Sequence, residues 1–193
     1  MQRGPLPYIL EDRTGSNTGS DFDDIYDRLF FRVARPASSP TQTPTTMIYN
    51  MHRRASRHRD TLPFTQDPIV VLDFLHDESL GTVSFVRPAG KVSQAMSKYL
   101  RKTSLFGSSL SRKFAGSDGR EYRWSHRSVD GQEWTCTTGA ENYLVAHYDL
   151  KRPDVRMYGV SGHTLTIYEA FIHMAVELMT SLTIMRHIAQ HNL

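Results

Sequence analysis

From Thr46 onward, apolar residues recur in short runs rich in β-branched and aromatic side chains. The runs are Met47–Met51, Ile69–Leu75, Thr82–Val86, Glu121–Ser125, Trp134–Thr138, Tyr143–Tyr148, Val155–Val160 and Thr164–Tyr168. Turn chemistry separates them: His76-Asp77-Glu78, Pro88-Ala89-Gly90, Ser117-Asp118-Gly119, Val129-Asp130-Gly131 and Ser161-Gly162. Asp-Gly pairs supply the positive φ that tight hairpins need. Short strands at close spacing without intervening helices predict an antiparallel meander, not a parallel βαβ fold.

The period then changes. Residues 169–190 contain neither proline nor glycine, and Phe171, Ile172, Met174, Ala175, Val176, Leu178, Met179, Leu182 and Met185 cover well over half of a helical wheel. A helix apolar over most of its circumference is a buried one. His173, Glu177, Thr180 and His187 form the remaining polar strip. The simplest enclosure for one such helix after a run of strands is a β-barrel wrapped around it, so residues 46–193 read as a single domain.

Residues 1–45 read differently. Arg13–Ser20 is polar and glycine-rich, and Pro36–Thr46 consists of proline, serine, threonine, glutamine and one alanine. Such stretches bury too little apolar area to offset their ordering entropy, which predicts a flexible, low-complexity tail. Within it Phe22, Ile25, Tyr26, Leu29 and Phe30 recur at three- and four-residue intervals behind Asp21, Asp23 and Asp24. This predicts either a short amphipathic helix at 22–31 or a transient docking segment.

The central motif Ser117-Asp118-Gly119-Arg120-Glu121-Tyr122-Arg123-Trp124, a second tryptophan at Trp134, the strand Tyr143-Leu144-Val145-Ala146-His147-Tyr148 and the terminal hydrophobic helix resemble an uncharacterised fungal domain family. That family is in turn distantly similar to the tubby C-terminal and LURP-one-related (phospholipid scramblase-like) proteins. The resemblance spans Thr46 to the C-terminus and implies a β-barrel threaded by a hydrophobic helix. It carries over no activity or site residues, though tubby-like relatives include phosphoinositide binders. Apart from the resemblance, strand alternation from Arg120 puts Tyr122 and Trp124 on one face, against the helix, and Glu121 and Arg123 on the other.

Candidate chemistry is sparse. The 193 residues hold one cysteine, Cys136, which excludes an internal disulfide framework and fits a reducing, intracellular and cytoplasmic setting. No secretory leader is read in Met1–Asp24. The apolar stretch Ala170–Ile188 is interrupted by His173, Glu177, Arg186 and His187, so no transmembrane segment is expected. Gly159-Val160-Ser161-Gly162-His163 lacks the second glycine of a nucleophile elbow and reads as a hairpin turn. Cys136 lies mid-strand, where a lone thiol packs as a small hydrophobe. His173 and Glu177 are helix-face neighbours, but His187 lies two to three turns on, too far to complete one coordination shell. A metal-dependent enzyme would need His163 to converge on that pair, and no metal or cofactor is expected. No phosphate-binding glycine loop occurs, and no nucleic-acid motif.

Charge is more informative. The formal net charge is +3, yet residues 87–127 carry ten basic residues against Asp118 and Glu121, while residues 64–86 hold four acidic residues and no basic one. Lys98, Arg101, Lys102, Arg112 and Lys113 are the candidate binders of an anionic headgroup, next to the loop Ser104–Ser111. Arg53-Arg54-Ala55-Ser56 has the basic-basic-x-serine form of a kinase substrate, which makes Ser56 a candidate phosphorylation site. The leading expectation is a non-enzymatic binding or scaffolding domain for an unidentified protein partner. The second is peripheral membrane association through the basic segment 87–127, and the third the metal-dependent enzyme.

Overall fold

With one exception, strands that follow one another in the chain lie side by side in the sheet. The computed structural model describes residues 6–36, 44–54, 66–75, 80–104, 110–149 and 162–193. Within them run β1 (Tyr8–Asp12), β2 (Ser20–Asp24), β3 (Phe30–Ala34), β4 (Thr45–Met51), β5 (Val70–Asp73), β6 (Thr82–Arg87) and β7 (Gly90–Ala95). A single helical turn, α1 (Met96–Tyr99), leads to β8 (Arg101–Lys102), β9 (Ser111–Ala115), β10 (Glu121–His126), β11 (Gln132–Thr138), β12 (Leu144–Asp149) and β13 (Thr164–Ile167). A 3-10 turn, Glu169–Met174, then opens α2 (Ala175–His191).

All thirteen strands form one antiparallel sheet, in which β1 pairs with β13 and the two free edges are β7 and β8. The chain passes from one edge to the other in five residues, Met96–Leu100, four of them α1. Met96 and Leu100 are fully buried, so this link is anchored in the core. Among the described residues the expected barrel is therefore a sheet rolled around the helix, with no strand pairing β7 to β8.

The helix fills that roll. Residues 178–185 of α2 are buried without a break, and eight residues exceed two turns, so every face of the helix is covered. Its polar side chains survive burial by bonding to their own backbone. The hydroxyls of Thr180, Ser181 and Thr183 donate to the carbonyls of Val176, Glu177 and Met179 at 2.7, 2.7 and 2.8 Å. Among the described residues no helix is long and apolar enough to cross a membrane.

The aromatic face of β10 points inward as expected: Tyr122 and Trp124 are fully buried. The turn before them closes at Gly119, whose φ of +80° suits glycine. Beside it, Gly116 leaves no room for a Cβ, which would collide with the side chains of Met174, Asp118 and Tyr122.

The N-terminal region departs from expectation. In place of a tail with a helix at 22–31, residues 8–34 contribute three strands to the middle of the sheet. Phe22 of β2 and Phe31 of β3 face each other in register and are buried, while Ile25 and Tyr26 lie exposed in the connecting turn. The acids that suggested a helix start are instead matched by nearby arginines. Arg32 lies 2.7 Å from Asp21, Arg13 2.8 Å from Asp23 and Arg28 2.7 Å from Asp24. Pairing of this kind is what allows an acidic segment to enter a sheet, because an isolated buried carboxylate is strongly unfavourable. The expected strand Val155–Val160 lies outside the described residues.

Candidate functional site

Two of the basic residues predicted to bind an anion, Arg101 and Lys113, meet at one free edge. In the register of β8, β9 and β10, Arg101 lies opposite Lys113, and Lys113 opposite Arg123. Directly opposed residues share a face. Because Phe114, Tyr122 and Trp124 take the alternate, inward positions, these three cations line up on the outer face. Like charges placed opposite each other repel, and Glu121 relieves part of this. Its carboxylate lies 3.3 Å from Arg101 Nη2 and 3.1 Å from Lys113 Nζ. Arg123 Nη2 donates to Asn142 Oδ1 at 2.7 Å. Lys98 on α1 and Lys102 on β8 are exposed, and Lys102 lies opposite Arg112, off the outer row.

Arg112 does not join them. Its position in β9 turns it inward, opposite Trp124. It is 4% exposed, with Nη1 and Nη2 each 3.4 Å from the carbonyl oxygens of Leu100 and Leu193. Burial lowers its pKa below the usual arginine value, and the residue acts as a link between the sheet edge and the end of the chain.

The ten basic residues of segment 87–127 do not share one face either. Arg120 and Arg127 flank β10 at opposite ends, separated by a strand rising about 3.3 Å per residue. Arg87 and Lys91 belong to the β6–β7 hairpin, beyond the open edge. The loop residues 105–109, Ser56 and the segment Gly159–Ser161 lie outside the described residues.

The histidines go separate ways. His173 Nε2 is 3.5 Å from Asp118 Oδ2. Burial opposes ionisation of that carboxylate, but hydrogen bonds from the Tyr122 hydroxyl, the Arg120 N–H and His173 outweigh it and hold the pKa below the ordinary range. His187 stacks on Phe74, with ring centroids 3.8 Å apart, and neighbours His191 at 4.4 Å. His163 Nδ1 sits 3.0 Å from the Asp149 carbonyl. Among the described residues no group of three or more His, Cys, Asp or Glu side chains is placed to hold a metal ion. Cys136 is buried, and burial pushes its thiol pKa well up, away from the nucleophilic thiolate.

One feature escaped the sequence. A cleft of about 390 Å³ opens where α2 emerges from the sheet, between the β1–β2 loop, the β10–β11 hairpin and the start of β13. Its lining includes Asn17, Arg127, Glu133, Trp134, Arg186 and Gln190. These residues span 174 positions and form no motif, so only the tertiary fold assembles them.

Arg186 is held in this wall by Asp12. Asp12 is fully buried, and its carboxylate accepts from Tyr148 Oη at 2.6 Å, from the Gly15 N–H at 2.8 Å, from Arg186 Nη1 at 3.3 Å and from Ser20 Oγ. Arg186 Nη2 also donates to the Gly15 carbonyl at 2.7 Å. The guanidinium lies 4.6 Å from the centroid of the Tyr148 ring.

Comparison with known proteins gave no match among curated proteins and none among solved structures. A family model described as "Family of unknown function (DUF6593)" matches residues 15–191, which covers β2 through α2. The chain therefore belongs to the family of unknown function DUF6593.

Proposed function

We propose that the protein is a non-catalytic binding domain that docks on anionic membrane surfaces through the edge bearing Lys98, Arg101, Lys102 and Lys113. The observation that carries this reading is the cross-strand row Arg101–Lys113–Arg123, in which three cations are held side by side with Glu121 as the carboxylate that bridges two of them. A sheet tolerates such repulsion only at some cost to its stability, and a polyanionic surface would relieve it. Each basic residue near an anionic bilayer contributes about 1 kcal/mol of attraction. The interior is occupied by α2, which leaves binding to the outer surface and the ends of the roll. A sheet rolled around a hydrophobic helix also supports, by analogy, a relationship to the tubby C-terminal and LURP-one-related proteins.

A second reading, docking of a protein partner, is favoured by the other free edge. β7 is exposed along nearly its whole length, with Val92 55% exposed, and among the described residues no strand neighbours its outer backbone groups. Such an edge accepts an added strand from another chain. Co-sedimentation with vesicles of defined charge separates the two readings.

A further inference from the structure

The cleft beside Trp134 and Arg186 contains hydrogen-bond donors that the fold leaves unused. Among the described residues four Trp and Tyr side chains are completely buried: Tyr122, Trp124, Trp134 and Tyr148. Three of them place their polar atom on a partner: Trp124 on Ser181 at 2.8 Å, Tyr122 on Asp118 at 2.6 Å and Tyr148 on Asp12 at 2.6 Å. Trp134 Nε1 has no acceptor, and an orphaned buried N–H is a cost that folded proteins rarely bear without a reason. Arg186, 10% exposed, commits two N–H groups, to Asp12 and Gly15, of the five that a guanidinium carries. Arg127 stands at the mouth with φ +47°, a left-handed conformation unusual for a long side chain.

Two of the acceptors are spent. Both oxygens of Asp12 are engaged, and Asn17 Nδ2 already donates to Gln190 Oε1 at 2.8 Å. A ligand that pairs with the unused donors brings acceptors. Glu133 in the lining and Asp12 behind Arg186 balance the two arginines, so the cleft is matched to a small oxyanion and not to a polyanion. Its volume is that of a small-molecule site.

We infer that this cleft binds a small molecule through a carboxylate or phosphate group held by Arg186, Arg127 and Trp134 Nε1. Nε1 is closed to water, and the His126 ring packs with its centroid 4.5 Å from that of Trp134. In the inferred complex that imidazole turns aside so that an acceptor reaches the indole. The site is independent of the basic edge: Lys98, Arg101, Lys102 and Lys113 do not line it.

The test is a titration of the ¹⁵N-labelled full chain with inorganic phosphate and, separately, with acetate, at ionic strength held constant with chloride. The protein contains two tryptophans, so two indole N–H resonances are read, assigned with Trp134→Phe. The expected result is a saturable downfield shift of the Trp134 resonance while that of Trp124, already bonded to Ser181, stays in place. Arg127→Ala, an exposed substitution, should weaken the apparent affinity at least tenfold for the anion that binds. Response to phosphate alone or to acetate alone identifies the headgroup. No saturable shift with either anion up to about 50 mM, which would reveal even millimolar affinities, overturns the inference. So does a shift of both indoles alike, or full retention of binding in Arg127→Ala.

Discussion

Trp124 Nε1 donates a 2.8 Å hydrogen bond to Ser181 Oγ, which ties the middle of β10 to the centre of α2. The Ser181 hydroxyl in turn donates to the Glu177 carbonyl at 2.7 Å, so neither buried group is left without a partner. Ser181→Ala removes the acceptor and strands the indole N–H, which should cost about 1–3 kcal/mol. Trp124→Ala adds a large cavity and should cost about 3–5 kcal/mol. Urea denaturation followed by circular dichroism reads both, and an unchanged midpoint for Ser181→Ala would show that the bond does not hold the helix in place.

Asp12 and Arg186 join the first strand to the last helix in the same way. Replacing Asp12 by Ala removes the acceptor for Arg186, Tyr148 and Ser20 together, in a site almost closed to water. Loss of one member of a buried ion pair is worth about 3–5 kcal/mol, so Asp12→Ala is expected to melt far below the parent protein. A variant with unchanged thermal stability would show that the Asp12–Arg186 pair does not hold β1 to α2.

The stacked pair Phe74–His187 predicts an acid-sensitive window. Burial, then repulsion from His191 and Arg35, pushes the His187 pKa down to about 4. The unfolded chain takes up a proton near the ordinary value of about 6.5, so between the two values the unfolded state binds more protons. The contribution of His187 is therefore present above about pH 6.5 and is lost as pH falls toward 4, with a slope of at most about 1.4 kcal/mol per pH unit. Stability measured from pH 7 to 4 should fall less steeply in His187→Gln. Parallel curves for the two proteins would contradict the assignment.

Several of these relationships were legible in the sequence and several were not, for physical reasons. The helix at 169–190 announced itself because an all-round apolar pattern has few uses other than enclosure, and the strands around Trp124 and Trp134 followed from alternation and Asp-Gly turns. β1 to β3 were hidden because Asp21, Asp23 and Asp24 mimic the acidic first turn of a helix. Their partners Arg13, Arg28 and Arg32 show their purpose only in the folded sheet. β7 was hidden because an edge strand with no buried face need not alternate. At the basic edge, residue type nominated the five candidate cations but not the direction in which each points. Arg112 failed because strand parity, which turns it toward Trp124, depended on a strand boundary the sequence did not mark. The cleft at Trp134 and Arg186 carried no local signal at all.

The proposed role of the basic edge rests most directly on vesicle co-sedimentation at low salt. The parent protein should pellet with phosphatidylcholine vesicles containing phosphatidylserine or a phosphoinositide and stay in the supernatant with phosphatidylcholine alone. Lys98→Glu combined with Lys102→Glu, both exposed, should preserve the melting temperature and reduce binding at least tenfold, since each charge contributes about 1 kcal/mol. Equal partitioning onto charged and neutral vesicles, or undiminished binding by the double variant, would contradict the account.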